Sequence, residues 1–295
     1  MTHLTPKAAD FLDRSNEERI YHIQSDKWIA YPVAQKILDK LEDLLVYPSC
    51  IRMPNLLIVG ETNNGKTLLV NRFFKAHQPV ILPDDDKLIV RVVYVQAPPQ
   101  PDEKKFYNAL LDQLNAPYKL SDKLERKQQQ AFAILRRIET RILIIDEIHN
   151  ILAGSLSRQR VFLNVIKYLS NELKISIVAV GTHDALHAIN TDYQLANRFE
   201  PTRLTKWVFN DEYRRLLASF EKTIPLRKPS NLQEPNLALK ILSMSEGTIG
   251  EISKVITLAA IEAIKNGNEK ISKDLLERVD YISPSKRRGY SEKLM

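Results

Sequence analysis

The chain has 295 residues, 44% of them hydrophobic, and a net charge of +7 from 43 Lys and Arg against 36 Asp and Glu. That is enough apolar material for one large domain or two smaller ones. A single cysteine, Cys50, excludes an intrachain disulfide and reads as a small apolar filler in a reducing compartment. No uncharged apolar run approaches the roughly 18 residues of a membrane span. The N-terminal stretch "MTHLTPKAADFLDRSNEERI" carries acids and no apolar signal core, so a cytoplasmic protein without membrane contact is expected.

Residues 1–50 are expected to form a helical extension. In "VAQKILDKLEDLL", Val33, Ile37, Leu38, Leu41, Leu44 and Leu45 share one face at helical spacing, and "YPSCIRMP" then ends the pattern. From 51 to 205, the apolar runs "NLLIV", "KLIVRVVYV", "RILIIDE" and "ISIVAV" alternate with helix-length segments. Strands that are apolar on both faces, separated by helices, predict an α/β domain with a parallel sheet covered on both sides. Over 206–282 the strand signal vanishes, and "DEYRRLLASF" and "IGEISKVITLAAIEAI" predict a small helical domain. Residues 283–295, "SPSKRRGYSEKLM", are expected to be a flexible basic tail.

Chemistry concentrates after the first strand. "GETNNGKT", Gly60 to Thr67, fits the phosphate-binding pattern G-x-x-x-x-G-K-[ST] in full, with "LLIV" before it and a helix after it. The glycines let the loop curl so that N–H groups of Gly60, Glu61, Thr62, Asn63, Asn64, Gly65 and Leu68 face phosphate oxygens. Lys66 is expected on the β- and γ-phosphates of ATP, and the Thr67 hydroxyl on Mg²⁺. "RILIIDE" is a buried strand ending in two carboxylates. Asp146 suits the hard cation, and Glu147 can polarise an attacking water. "ISIVAVGTHDAL" ends its strand at Thr182, whose hydroxyl can touch the γ-phosphate or that water. "DEIH" also invites a helicase reading with His149 as a coupling residue. A second set of motor motifs is missing, however, and His149 reads as a local structural residue.

This order of parts resembles the AAA+ ATPases: phosphate loop, Asp-Glu strand, sensor threonine, then an arginine ahead of a helical lid. The resemblance implies an AAA+ P-loop NTPase fold, a parallel sheet between helices followed by a small all-helical lid domain. The arginine would be Arg198 in "QLANRFEPTRL", with Arg203 as the fallback, reaching a neighbouring subunit's ATP. A narrower resemblance spans nearly the whole chain. "WIAYPVAQKILDKLEDLLVYPSCIRMPNLLIVGETNNGKT", "VVYVQAPPQPDEKKFYNALLDQL" and "LIIDEIHNILAGS" are similar to the TniB family, relatives of TnsC, which are AAA+ regulators of DNA transposition. That likeness implies a homo-oligomer, ring or helical filament, assembled with ATP on double-stranded DNA. It further implies a DDE-type transposase and a TniQ-type targeting protein as partners. One departure is visible: "SEGTIGEISKVI" offers Gly250 where many AAA+ lids carry an ATP-sensing arginine, and Glu251 has the wrong charge to replace it.

In initiator-like AAA+ proteins, to which this family is similar, the region after the second strand faces DNA. The matching residues are Lys104, Lys105, Lys119, Ser121, Lys123 and Lys127, which would neutralise or bond phosphates without reading bases. Residues 119–141 hold seven basic side chains against three acidic ones. Arg158 and Arg160 are second-line candidates. The basic tail is a candidate docking peptide for the transposase. Two other functions fit the same core: a loader acting on another DNA-bound ATPase, and a nucleotide-gated signalling switch.

Overall fold

The computed structural model describes residues 3–82 and 87–294. The chain opens with α1 (Pro6–Ala9), α2 (Asn16–Gln24) and α3 (Pro32–Val46). The middle runs through β1 (Asn55–Gly60), α4 (Lys66–Ala76), β2 (Val80–Leu82), β3 (Lys87–Ile89), β4 (Val92–Gln96), α5 (Glu103–Gln113) and α6 (Leu124–Arg137). It continues with β5 (Ile142–Asp146), a 3-10 turn (Ile148–Ala153), α7 (Leu156–Leu173), β6 (Ser176–Gly181), α8 (Asp184–Asn190), α9 (Tyr193–Ala196) and β7 (Phe199–Leu204). The rest is α10 (Asp211–Glu221), α11 (Pro235–Ser245), α12 (Ile249–Lys265), α13 (Lys273–Arg278) and α14 (Pro284–Leu294). These elements form two compact units, one of Pro32–Leu204 and one of Met1–Tyr31 with Thr205–Met295.

The α/β unit is built on a five-stranded sheet in the order β4-β5-β6-β1-β7, parallel at every pairing. Every residue of β1, β5 and β6 is buried, as runs of Leu, Ile and Val covered by helices on both faces require. The run "KLIVRVVYV" does not make one strand. The Val90 N–H donates to the Ile138 carbonyl, and the Arg91 carbonyl accepts from Arg141 and Ile142, so the chain is turned aside there. β3 then pairs antiparallel with β2, and only β4 enters the main sheet. β7 has no counterpart among the expected strands. It is an edge strand, buried only at its two end residues, and it contains Pro201, which lacks an N–H for a central ladder. α3 buries Ala34, Ile37, Leu41, Leu44 and Leu45, and Lys40 pairs with Glu200 on β7.

The helical unit is assembled from both ends of the chain, which divides the expected 1–50 extension in two. Ile23 and Ile29 join a core with Tyr213, Leu217, Ile252 and Ala259. Arg19, 1% exposed, fixes that arrangement. Its guanidinium bonds both oxygens of Glu269 at 2.8 and 2.5 Å and the Pro225 carbonyl at 2.7 Å. The tail also departs from expectation, being helical as far as Leu294. Pro284 starts α14, where a missing N–H costs nothing. Glu246 accepts the Ser285 N–H at 2.8 Å, and Arg287 lies 2.6 Å from buried Glu251. Tyr281 donates to the same carboxylate at 2.6 Å. Glu251, next to the missing lid arginine, is thus a fastener for the C-terminal helix. No helix among the described residues is long and apolar enough to cross a membrane.

Candidate nucleotide site

Where β1 ends, the backbone enters the loop that the glycine pattern predicts. Asn63 takes a φ of 60° and Gly65 one of 81°, left-handed values that favour small or locally bonded residues. Asn64, buried, donates to the Leu204 carbonyl at 2.9 Å, which ties the loop to the end of β7. Glu61, Thr62 and Asn63 are exposed, and the helix of Lys66, Thr67 and Leu68 starts directly behind them.

Lys66 is buried, and its ammonium donates to the carbonyls of Gly60 at 2.9 Å and Glu61 at 2.8 Å. Burial pulls its pKa down, and the carboxylates of Glu147, Asp146 and Glu61 push back. The cation therefore sits among neutral oxygens, where burial disfavours its charge and the nearby carboxylates offset only part of that cost. At the end of β5, separated from β1 by β6, Asp146 is 2% exposed and fully bonded. Its Oδ2 accepts the hydroxyls of Thr67 and Tyr94, each at 2.9 Å, and its Oδ1 accepts the Glu147 N–H at 2.8 Å. Burial above all, and then the Asp146 charge, raises the Tyr94 pKa, so the phenol stays a donor.

This donor set fits the group expected there. A hydroxyl and a carboxylate share one hydrogen bond at the start of a helix, beside a loop of N–H groups, as a hard cation on a phosphate requires. Sequence reasoning missed Tyr94. Its only signal is a polar-tipped residue in "VVYVQ", and the register pairing β4 with β5 brings it to Asp146. Thr182 follows Gly181, which pairs with Val59, so it stands beside the loop. Its hydroxyl is 3.4 Å from Asp184 Oδ2.

Arg198 lies elsewhere. It precedes Phe199, which pairs with Asn55 at the start of β1, whereas Gly60 pairs with Leu204 at the other end. Five strand residues at about 3.3 Å each put roughly 17 Å between them. There Arg198 donates to Asn171 Oδ1 at 2.5 Å, beside a cleft of about 370 Å³ lined by Lys40, Asp43, Tyr47 and Glu200. Arg203 pairs with Val59, near the loop end.

Lys104 and Lys105 are exposed on α5, and Lys119, Ser121 and Lys123 on the segment leading into α6. Lys127 is not among them. It is fully buried, donates to Asn108 Oδ1 at 2.6 Å and lies 4.6 Å from the Tyr118 ring centre, so it holds α5 to α6 and offers nothing to a phosphate. Arg158 and Arg160 are exposed on the first two turns of α7.

A parallel sheet of this order, carrying a glycine-lysine loop beside a buried strand-end aspartate and followed by a helical region, defines an AAA+ P-loop NTPase fold. Solved structures agree in fold. ORC2 of Aeropyrum pernix, described in its ADPNP–ADP complexes, superposes with a TM-score of 0.61 at 17% identity, over 88% of this chain and 70% of that one. ORC1 of the same organism, in complex with DNA, gives 0.60 at 14%, over 92% and 69%. Cdc6p of Pyrobaculum aerophilum gives 0.58 at 15%, over 84% and 67%. A search of curated protein sequences found no match. The family model "Bacterial TniB protein" matches residues 19–209, and the chain belongs to the TniB family.

Proposed function

We propose that this protein is an ATP-dependent, DNA-binding regulator of transposition, whose copies assemble on target DNA and recruit or activate a DDE-type transposase together with a TniQ-type protein. The observation that carries the assembly is the separation just described: the phosphate loop and Asp146 lie at one end of the sheet and Arg198 at the other. An arginine that far from its own loop serves hydrolysis only in a second copy. A head-to-tail interface of that kind closes into a ring or runs on as a helical filament.

Within one site the roles follow from the bonds. Backbone N–H groups of Gly60 to Leu68 and the Lys66 ammonium hold the phosphates of ATP. Thr67 and Asp146 hold Mg²⁺, which neutralises charge on the phosphate oxygens when bound. Glu147, partly exposed at the end of β5, accepts a proton from the attacking water. Thr182 orients that water or a phosphate oxygen. Arg198 of the neighbouring copy stabilises the charge that develops in the transition state. Lys104, Lys105, Lys119, Ser121 and Lys123 track the DNA backbone without reading sequence. TniB membership supports the transposition reading, and the description of A. pernix ORC1 as a DNA complex supports the DNA reading.

Mixing two inactive variants tests the assembly. Glu147→Gln keeps Arg198 and loses the base; Arg198→Ala does the reverse. Together on DNA with ATP they should recover part of the wild-type hydrolysis at mixed interfaces. Co-assembly without recovery would mean that Arg198 does not act across an interface. Omitting this protein from a reaction with transposase and end DNA tests the wider role, since strand transfer that proceeds equally without it removes the regulatory reading.

A further inference from the structure

Glu147 is held in an unusual way. Its φ is 55°, a left-handed conformation that costs a residue with a Cβ about 1–2 kcal/mol and persists where surroundings impose it. One constraint is its N–H bond to Asp146. The other is His149, whose Nε2 lies 3.2 Å from Glu147 Oε2. The second ring nitrogen, Nδ1, receives the backbone N–H of Thr182 at 3.5 Å. A backbone N–H can only donate, so Nδ1 is the acceptor and the ring proton sits on Nε2, aimed at the carboxylate. Glycine at residue 181 leaves room for the ring at the end of β6. A Cβ there would stand 3.2 Å from His149 Nδ1 and 2.9 Å from the Ala185 Cβ. The imidazole therefore bridges the ends of β5 and β6, touching the carboxylate on one side and the Thr182 backbone on the other.

We propose that His149 is a positioning residue for Glu147. It fixes the carboxylate through Oε2, leaves Oε1 to face water, and registers that oxygen against Thr182. This rests on the reading of Glu147 as the base for ATP hydrolysis. A residue that only packed the end of β6 would need neither the Nε2–H donor nor its aim at Glu147.

Two side chains divide the imidazole between them. Glutamine places an amide donor near the Nε2 position, and asparagine places an acceptor near Nδ1. His149→Ala should lower kcat about 10–100-fold, the range for losing a partner that orients a working ligand, with little change in KM or nucleotide Kd. His149→Gln should recover most of that loss and His149→Asn little of it. Equal recovery by both, or a fall in stability with kcat unchanged, overturns the proposal. Nitrogen NMR of histidine-labelled protein without nucleotide gives a second readout. The resonances that vanish in His149→Ala should show the Nε2-protonated form, and they should shift in Glu147→Gln. An Nδ1-protonated ring would overturn the proposal as well. A wild-type protein that hydrolyses no ATP, yet shows the expected tautomer and its response to Glu147→Gln, would instead overturn the reading of Glu147 as a base.

Discussion

The two units bury charge to opposite ends. In the α/β unit, Lys66 and Asp146 are buried against neutral partners: two carbonyls for the lysine, two hydroxyls and an N–H for the aspartate. In the helical unit, Arg19 is buried against Glu269, and Glu251 against Arg287. Burial makes any charge costly, and an opposite charge in good geometry recovers much of that cost. Lys66 and Asp146 stand at the loop, where a phosphate and its cation can use their charges, whereas Lys127, also buried on neutral partners, is closed in by Asn108 and Tyr118. A buried charge on a counter-charge is finished and serves as a fastener. A counter-charge thus marks a strut, and neutral partners mark a candidate site only where the charge also stands beside the loop.

Breaking the fastener should have the largest effect. Removing one partner of a buried pair costs about 3–5 kcal/mol, so Arg19→Ala should destabilise the helical unit by that order. Both tryptophans, Trp28 and Trp207, belong to that unit, so a urea titration followed by tryptophan fluorescence reports on it selectively. Nucleotide binding by the α/β unit should persist. A midpoint equal to that of wild type would show that the bidentate pair contributes little.

Removing the poised charge should act on chemistry and spare the fold. Lys66→Ala should lower hydrolysis on the order of 10²–10³-fold and abolish ATP-dependent assembly, while the melting temperature holds or rises. Normal assembly at saturating ATP would remove Lys66 from the phosphate site.

The lysines of α5 and α6 sharpen the comparison within one surface. Lys104→Ala with Lys119→Ala should weaken DNA binding equally on unrelated sequences and reduce the log–log salt slope by about 2, close to one per lost phosphate contact. Lys127→Ala should leave that slope alone and cost about 1–3 kcal/mol of stability, because Asn108 loses a buried partner. An unchanged slope in the double variant would move the DNA surface to Arg158 and Arg160.

The smallest effect is one of pH. Burial raises the Glu269 pKa, but the bonds from Arg19 and Arg227 outweigh it and hold the carboxyl below its ordinary 4.5. A carboxylate whose folded pKa is depressed adds stability that is present above its unfolded value and lost as pH falls through the folded one. The helical unit should therefore weaken below about pH 4.5, and Glu269→Gln should flatten that part of the profile at a lower overall stability. An identical acid limb in the variant would assign the loss to other carboxylates.

How much of this was legible follows from how local each signal is. The phosphate loop, the Asp-Glu strand end and Thr182 were readable because turn geometry and strand burial are written into a few adjacent residues. The TniB likeness was readable for the same reason, in contiguous stretches. What the linear chain could not decide is which lysine is solvated. Lys123 and Lys127 sit one helical turn apart in the same basic run, yet one is exposed and the other is sealed against Asn108 and Tyr118. β7 escaped because an edge strand needs no continuous apolar run. Tyr94 and His149 gained their roles from strand register, which sets residues about 50 and 30 positions apart beside Asp146 and Thr182. The helical unit unites residues 1–31 with 205–295 through a core and an ion pair spanning 250 positions. Burial and pairing across such separations are properties of packed space, where the energy of a charge depends on neighbours that the chain supplies only after it has folded.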